Sequence, residues 1–161
     1  MSASKFPRLT STSVSPPFSL TSATVKRLSP EEAKGLIDNE GYVYLDVRSI
    51  PEFEAGHPTS AYNVPLMHQG PAGMTPNPDF VAVMEKGFPR DARLVVGCKA
   101  GGRSQKAAAL LEAAGYTGLV EQKAGYEGPS PAEPGWRPKG LPTSTQASAD
   151  HTYEGIRAGK K

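Results

Sequence analysis

A short apolar run, Leu94-Val95-Val96-Gly97, ends in the chain's single cysteine, Cys98, and the segment after it, Lys99-Ala100-Gly101-Gly102-Arg103, leads into a helical pattern. Ala107, Leu110, Leu111 and Ala114 recur at helical spacing and Gly115 stands where a helix stops, so the spacing predicts a helix from about Gly102 to Ala114. A second apolar stretch, Leu119-Val120, follows. The order strand, loop, helix, strand is that of a βαβ unit, with the helix N-terminus aimed at Cys98.

A lone cysteine at a strand end is ordinarily a small buried hydrophobe. The neighbours of Cys98 point to a reactive thiol instead. A glycine-containing turn that opens a helix gathers backbone N–H groups at the positive end of the helix dipole, and Lys99 and Arg103 add formal positive charge. These terms favour the thiolate, the form of cysteine that attacks electrophiles. Gly101 and Gly102 remove side chains that would keep an anion from the amides, so Lys99, Ala100, Gly101, Gly102 and Arg103 form a candidate cradle for an oxyanion or a terminal persulfide. Glycines also serve ordinary turns, so the combination of cysteine, glycines and arginine carries more information than any one of them.

The remaining pattern alternates. Val25 to Leu28 reads as a strand, and Ser29-Pro30-Glu31-Glu32 as an N-cap and acidic first turn of a helix to about Asn39. Tyr42 to Asp46 reads as a strand, Ile50 to Ala55 as a helical turn, and Ala61 to Val64 as a strand. Gly70 to Pro78 is expected to be a surface loop, and Asp79 to Lys86 a helix. This alternation predicts an α/β fold with a mainly parallel central sheet and helices on both faces. Ligand sites in such sheets lie at the C-terminal ends of strands, where Cys98, Asp46 and Arg48 all fall. Asp46 reads first as an acceptor for loop N–H groups. Arg48 reads either as an ion-pair partner or as an orienting residue of the site.

Charge excludes some functions. Residues 1–29 hold Lys5, Arg8, Lys26 and Arg27 and no acid, while residues 30–142 hold eleven Lys/Arg against fourteen Asp/Glu. The basic balance therefore belongs to the termini, and the slightly acidic centre argues against a nucleic-acid-binding surface. No segment has the apolar length to span a membrane. A single cysteine excludes an internal disulfide and a cysteine-based zinc cluster, and no residue set suggests a metal.

Two motifs together resemble the rhodanese family of thiosulfate sulfurtransferases. One is the loop from Cys98 to Arg103. The other is Leu45-Asp46-Val47-Arg48, then Glu52-Phe53, Gly56-His57 and Ala61-Tyr62-Asn63-Val64-Pro65. The resemblance spans about Val25 to Pro142 and is nearest to the single-domain rhodaneses of plants and bacteria. It departs at Pro58, where an aliphatic residue is usual, and at Ala124, where the family's glycine pair before Tyr126 has its first glycine. A proline-rich insertion loop is expected before Trp136, which reads as a core-edge anchor. His57 reads as a loop-packing residue, and His68 and His151 carry no motif.

The resemblance implies a rhodanese-like fold and a double displacement. Cys98 takes the outer sulfur of a small anionic donor such as thiosulfate and passes it, as a persulfide, to a thiol or cyanide acceptor, with a thioredoxin-like protein among the candidate acceptors. Lys99 and the loop amides would hold the donor, Arg103 would anchor the loop or neutralise the leaving anion, Asp46 and Arg48 would support the site, and no cofactor is required. Two alternatives stay open: a rhodanese-like phosphatase or arsenate reductase, although four residues rather than five separate Cys98 from Arg103, and a non-enzymatic rhodanese-like interaction module. Around a domain at residues 25–142, residues 1–24 read as a disordered tail and residues 143–161 as a flexible one. The short N-terminal stretch is placed first as a cytoplasmic tail. Its Ser-rich, acid-free, basic composition also fits a transit segment to a plastid or mitochondrion.

Overall fold

The apolar runs pair edge to edge as parallel strands, and the segments between them cross over as helices. The computed structural model describes residues 25–159. In chain order the elements are β1 (Lys26–Leu28), α1 (Pro30–Asn39), β2 (Val43–Asp46), α2 (Ile50–Ala55), β3 (His57–Pro58), β4 (Tyr62–Asn63), β5 (Met67–Gly70), β6 (Gly73–Pro76), α3 (Phe80–Gly87), β7 (Arg93–Gly97), α4 (Gly102–Ala113), β8 (Gly118–Gln122), β9 (Thr143–Ser144), a 3-10 turn at Ala149–His151, and α5 (Tyr153–Arg157). Five strands form one sheet in the order β1-β8-β7-β2-β4, and every neighbouring pair is parallel.

Strand alternation sorts the core into two layers. Leu45, Leu94, Val96 and Leu119 face one side, where Phe80 and Met84 of α3, Ala107 and Leu111 of α4 and Ile156 of α5 cover them. Tyr44, Val95 and Val120 face the other side, against Ala33 of α1, Phe53 of α2 and Trp136. Helices therefore lie on both faces of a parallel sheet. Ser29 and Ser49 each make a capping box, with Glu32 and Glu52, and start α1 and α2 where the sequence predicts them.

Three segments refine the expectations. The stretch from Gly70 to Pro78 is not an irregular loop throughout: Met67–Gly70 and Gly73–Pro76 pair as an antiparallel hairpin. Most of its residues are exposed, so backbone pairing rather than a buried face defines it and no apolar alternation announces it. The segment after Pro142, expected to be flexible, is docked. Thr143 and Ser144 pair with Pro58 and His57, and Tyr153 and Ile156 enter the larger core layer. Ile156 rests on Gly87, and Gly155 lies so close to the Ala149 carbonyl that a Cβ there would be 1.8 Å from its oxygen. Ala124 fits in the place of the family's glycine because its backbone φ is not positive, and its N–H donates to Gln122 Oε1 at 2.9 Å. The expected tail or transit segment at residues 1–24 lies outside the described residues.

Trp136 is buried, donates its indole N–H to the Pro142 carbonyl at 2.7 Å and meets Tyr44 edge-on at 5.2 Å, so it pins the proline-rich loop to the second core layer. His57 stacks on Phe53, and its ring nitrogens lie 2.7 Å from Phe53 O and 2.9 Å from Gln146 O. It ties α2 to the C-terminal segment, as a packing residue would.

Candidate active site

β7 ends at Gly97, which passes so close under Tyr44 that a Cβ there would lie 2.0 Å from the Tyr44 hydroxyl, so the position has room only for glycine. Cys98 follows at the C-terminal end of the sheet. The register pairs Gly97 with Asp46, which brings the ends of β7 and β2 side by side.

The loop after Cys98 turns its backbone inward. The Cys98 carbonyl accepts from Tyr126 N at 2.7 Å, and the Lys99 carbonyl accepts from Glu127 N at 2.9 Å and Gly128 N at 3.1 Å. With those oxygens bound to the segment after β8, Gly101 N–H donates to Cys98 Sγ at 3.0 Å. Gly101 has φ +105°, and a Cβ there would stand 2.4 Å from the Lys123 carbonyl oxygen. This position therefore requires glycine. Gly102 faces open space and does not. Gly125, at φ +77°, lets the clamping segment approach the Lys99 backbone, where a Cβ would be 2.5 Å away.

Cys98 is buried, whereas Lys99, Ala100 and Gly102 are exposed. Arg103 does not face the sulfur as a free cation. Its guanidinium makes a two-pronged bond to Glu52 of α2 at 2.7 and 3.0 Å, which ties the start of α4 to α2. Burial alone would raise the Glu52 carboxyl, but the Arg103 guanidinium and the Ser49 N–H and hydroxyl outweigh it and hold the carboxyl at about 2. Of the two roles expected for Arg103, this geometry corresponds to the loop anchor.

Asp46 and Arg48 form a buried pair, with Nε–Oδ1 at 2.9 Å and Nη2–Oδ2 at 2.7 Å. Asp46 also accepts Arg48 N–H, and Arg48 reaches the Gly56 carbonyl at 2.7 Å with its guanidinium 4.2 Å over the Tyr126 ring. Both residues therefore shape the wall beside the loop. That wall borders an open cleft of about 250 Å³ whose lining includes Arg48, Lys99, Tyr126 and Arg137. A larger concavity of about 390 Å³, bordered by Phe53, His57 and Tyr153, includes none of residues 98–103. Position relative to the cysteine makes the smaller cleft the relevant one.

Three residues at the site carry no motif in the sequence reading. Ser104 Oγ lies 3.4 Å from Cys98 Sγ and donates to Glu121 Oε2 at 2.6 Å. Glu121 is buried on β8 and accepts from Arg27 Nε at 2.7 Å. A glutamate directly after the apolar pair Leu119-Val120 was the available signal, since a charge in a central strand needs a partner.

A family model described as Rhodanese-like domain matches residues 29–129. The chloroplastic thiosulfate sulfurtransferase 16 of Arabidopsis thaliana is 43% identical over 103 residues, covering 64% of this chain and 80% of that protein. The chloroplastic rhodanese-like domain-containing protein 15 of Arabidopsis thaliana is 41% identical over 86 residues, 53% of this chain and 47% of the relative, so the match spans about half of that protein's length. Among solved structures, the crystal structure of Rv0390 from M. tuberculosis superposes with a TM-score of 0.64 at 28% identity, covering 76% of this chain and 98% of that one.

Proposed function

Because this chain belongs to the rhodanese-like domain family, we propose that it is a sulfurtransferase working through a persulfide on Cys98. The observation that carries the reading is the Gly101 N–H held 3.0 Å from Sγ, at the opening of α4, in a loop whose Cys98 and Lys99 carbonyls are bound elsewhere. An amide so placed stabilises negative charge on a sulfur without reorganising. The first turn of α4 adds further N–H groups that lack helical partners.

The reaction is a double displacement. The Cys98 thiolate attacks the outer sulfur of thiosulfate. An S–S bond forms to Sγ, the bond to the sulfonate sulfur breaks, and sulfite leaves with the electron pair. An acceptor thiolate, or cyanide, then attacks the outer sulfur, and Cys98 recovers its electron pair as thiolate. Lys99, exposed on the cleft side, attracts the dianionic donor. Arg103 supports the loop through Glu52, which leaves the anion to the amides and Lys99. Phosphate chemistry is less favoured, since both outer arms of the Arg103 guanidinium are occupied by a carboxylate.

A coupled assay tests the reading. Wild-type protein is expected to convert thiosulfate and cyanide to thiocyanate and sulfite, and Cys98→Ser to lose that turnover. Hydrolysis of aryl phosphates through Cys98 faster than thiosulfate consumption would overturn it. The chloroplastic names of relatives, with the acid-free, Ser/Thr-rich composition of residues 1–24, support a transit segment there. A fluorescent fusion of those residues that stays in the cytosol of plant cells would reject this localisation.

A further inference from the structure

A chain of polar groups leads from Cys98 across the start of α4 to β8 and β1. Cys98 Sγ is 3.4 Å from Ser104 Oγ, Ser104 Oγ is 2.6 Å from Glu121 Oε2, and Glu121 Oε1 is 2.7 Å from Arg27 Nε. Arg27 Nη2 adds a longer contact to Glu121 at 3.5 Å. Ser104 and Glu121 are buried, and Arg27 reaches them from β1 at the sheet edge.

Ser104 has one hydroxyl hydrogen and three acceptors within reach: Glu121 Oε2, the Gly101 carbonyl at 3.2 Å, and Sγ. A hydrogen bond from a hydroxyl to a carboxylate at 2.6 Å is charge-assisted and the strongest of the three. The hydrogen therefore lies toward Glu121, and the Ser104 lone pairs face the sulfur. That arrangement accepts a hydrogen from a Cys98 thiol. A bare thiolate reverses the requirement, because it needs donors. Gly101 N–H supplies one, and Ser104 supplies a second only by turning its hydrogen away from Glu121.

We propose that Glu121, held by Arg27, acts through Ser104 as a positioning residue for Cys98, drawing the hydroxyl hydrogen away from Sγ and so favouring the protonated and sulfur-loaded forms of the cysteine over the bare thiolate. Sulfur loading relieves the conflict. In the persulfide, Sγ carries no proton and the negative charge moves to the outer sulfur, one bond farther from Glu121, while the Ser104–Glu121 bond stays intact. The loaded state is thereby the rested state of the network. When Cys98 instead loses its proton to solvent, the Ser104 hydrogen swings to Sγ and Glu121 keeps its bond to Arg27.

Other groups bear on the sulfur from the elements around it. Lys99 and Arg103 flank it on the loop and α4, Arg103 being committed to Glu52. Arg27 approaches from β1. Tyr44 on β2 is kept neutral because burial pushes its phenol far above the usual range, and Asp46 and Arg48 at the end of β2 are bound to each other. Among these, Glu121 is the anion joined to the sulfur through a single hydroxyl.

The ionisation step is read by alkylation and needs no sulfur donor, although its consequence for turnover rests on the sulfurtransferase reading. The rate of Cys98 alkylation by iodoacetamide is measured against pH in the full chain. Glu121→Gln is expected to lower the pH of half-maximal rate by about one unit, and Arg27→Gln to raise it, because each changes the charge that holds the hydroxyl. In a Ser104→Ala background, Glu121→Gln is expected to move the midpoint by less than half as much, since the coupling travels through the hydroxyl. Glu121→Asp, which keeps the charge but shortens the reach, gives an intermediate midpoint if Glu121→Gln fails to fold. At a fixed ratio of thiosulfate to sulfite, Glu121→Gln also holds a smaller persulfide fraction than wild type. A change in melting temperature with an unmoved midpoint would make the network purely structural and overturn the proposal. An upward shift in Glu121→Gln would make Glu121 a proton acceptor and overturn it equally. Absence of any persulfide in wild type, with the midpoint shifts present, would reject the sulfurtransferase reading alone.

Discussion

On its outer side the Cys98 loop shows Lys99, Ala100 and Gly102 to solvent, whereas on its inner side Gly101 and Ser104 are buried against the Lys123 carbonyl and Glu121. The outer groups are one exposed cation and two exposed positions, one of them, Gly102, with open space around it. The inner groups have fixed backbone angles and hydrogen bonds between 2.6 and 3.4 Å. The difference assigns the tasks. The outer side attracts and admits the donor, and the inner side sets the loop's shape and the state of the sulfur. Outer substitutions should therefore tune binding by small factors, and inner ones should alter catalysis by large ones.

The adjacent glycines break or sustain that contrast most sharply. Gly101→Ala, forced to adopt φ +105° and to displace the Lys123 carbonyl, is expected to lower kcat/KM for thiosulfate on the order of a hundredfold, because a shift near 1 Å at the nucleophile has that effect. Gly102→Ala, with open space around it, is expected to change the same constant less than about twofold. Equal effects at the two positions would remove the distinction between inner and outer sides.

Next in size is a control far from the loop. Ile156→Ala, which empties a buried site between α5 and Gly87, is expected to destabilise the fold by about 2–5 kcal/mol in chemical denaturation. It should leave the kcat of the folded fraction unchanged. A stability loss near zero would mean that the C-terminal segment is not docked in solution.

Glu52 links the loop to α2 and gives a pH signature. Its carboxyl is held at about 2 in the folded chain against an ordinary value of 4.5, so its contribution to stability is full above about pH 4.5 and is lost as pH falls toward 2. Glu52→Gln should flatten that part of the stability curve and loosen Arg103. A slope below pH 4.5 identical to wild type would contradict the pairing.

The smallest effect belongs to the outer cation. Lys99→Ala is expected to raise KM for thiosulfate by roughly two- to fivefold and to weaken its dependence on salt, with kcat nearly unchanged. A large fall in kcat would give Lys99 the part assigned to the inner side of the loop.

What the sequence made legible follows the same division. The strand, the cysteine, the turn and the helix are neighbours along the chain, so apolar spacing and end signals sufficed to locate them. The N-cap at Ser29 is local for the same reason. The partners of the loop are distant. Arg103 meets Glu52, 51 positions upstream, and Ser104 meets Glu121, 17 positions downstream, and no spacing rule connects them. The two glycines are identical as letters, and only the backbone angle and the nearby carbonyl separate Gly101 from Gly102. The segment after Pro142 was unreadable because its burial rests mainly on Tyr153 and Ile156 among polar residues, too few to form a periodic face. The hairpin at Met67–Pro76 was unreadable because it buries almost nothing.

The central claim is that Cys98 carries the sulfur covalently. Its most direct test is the intact mass of the protein after exposure to thiosulfate and removal of excess reagent. Wild-type chain is predicted to gain about 32 Da, one sulfur atom, and to lose it on addition of cyanide, while Cys98→Ser gains nothing. Thiosulfate consumption with an unchanged wild-type mass, or the same gain in Cys98→Ser, would contradict the account.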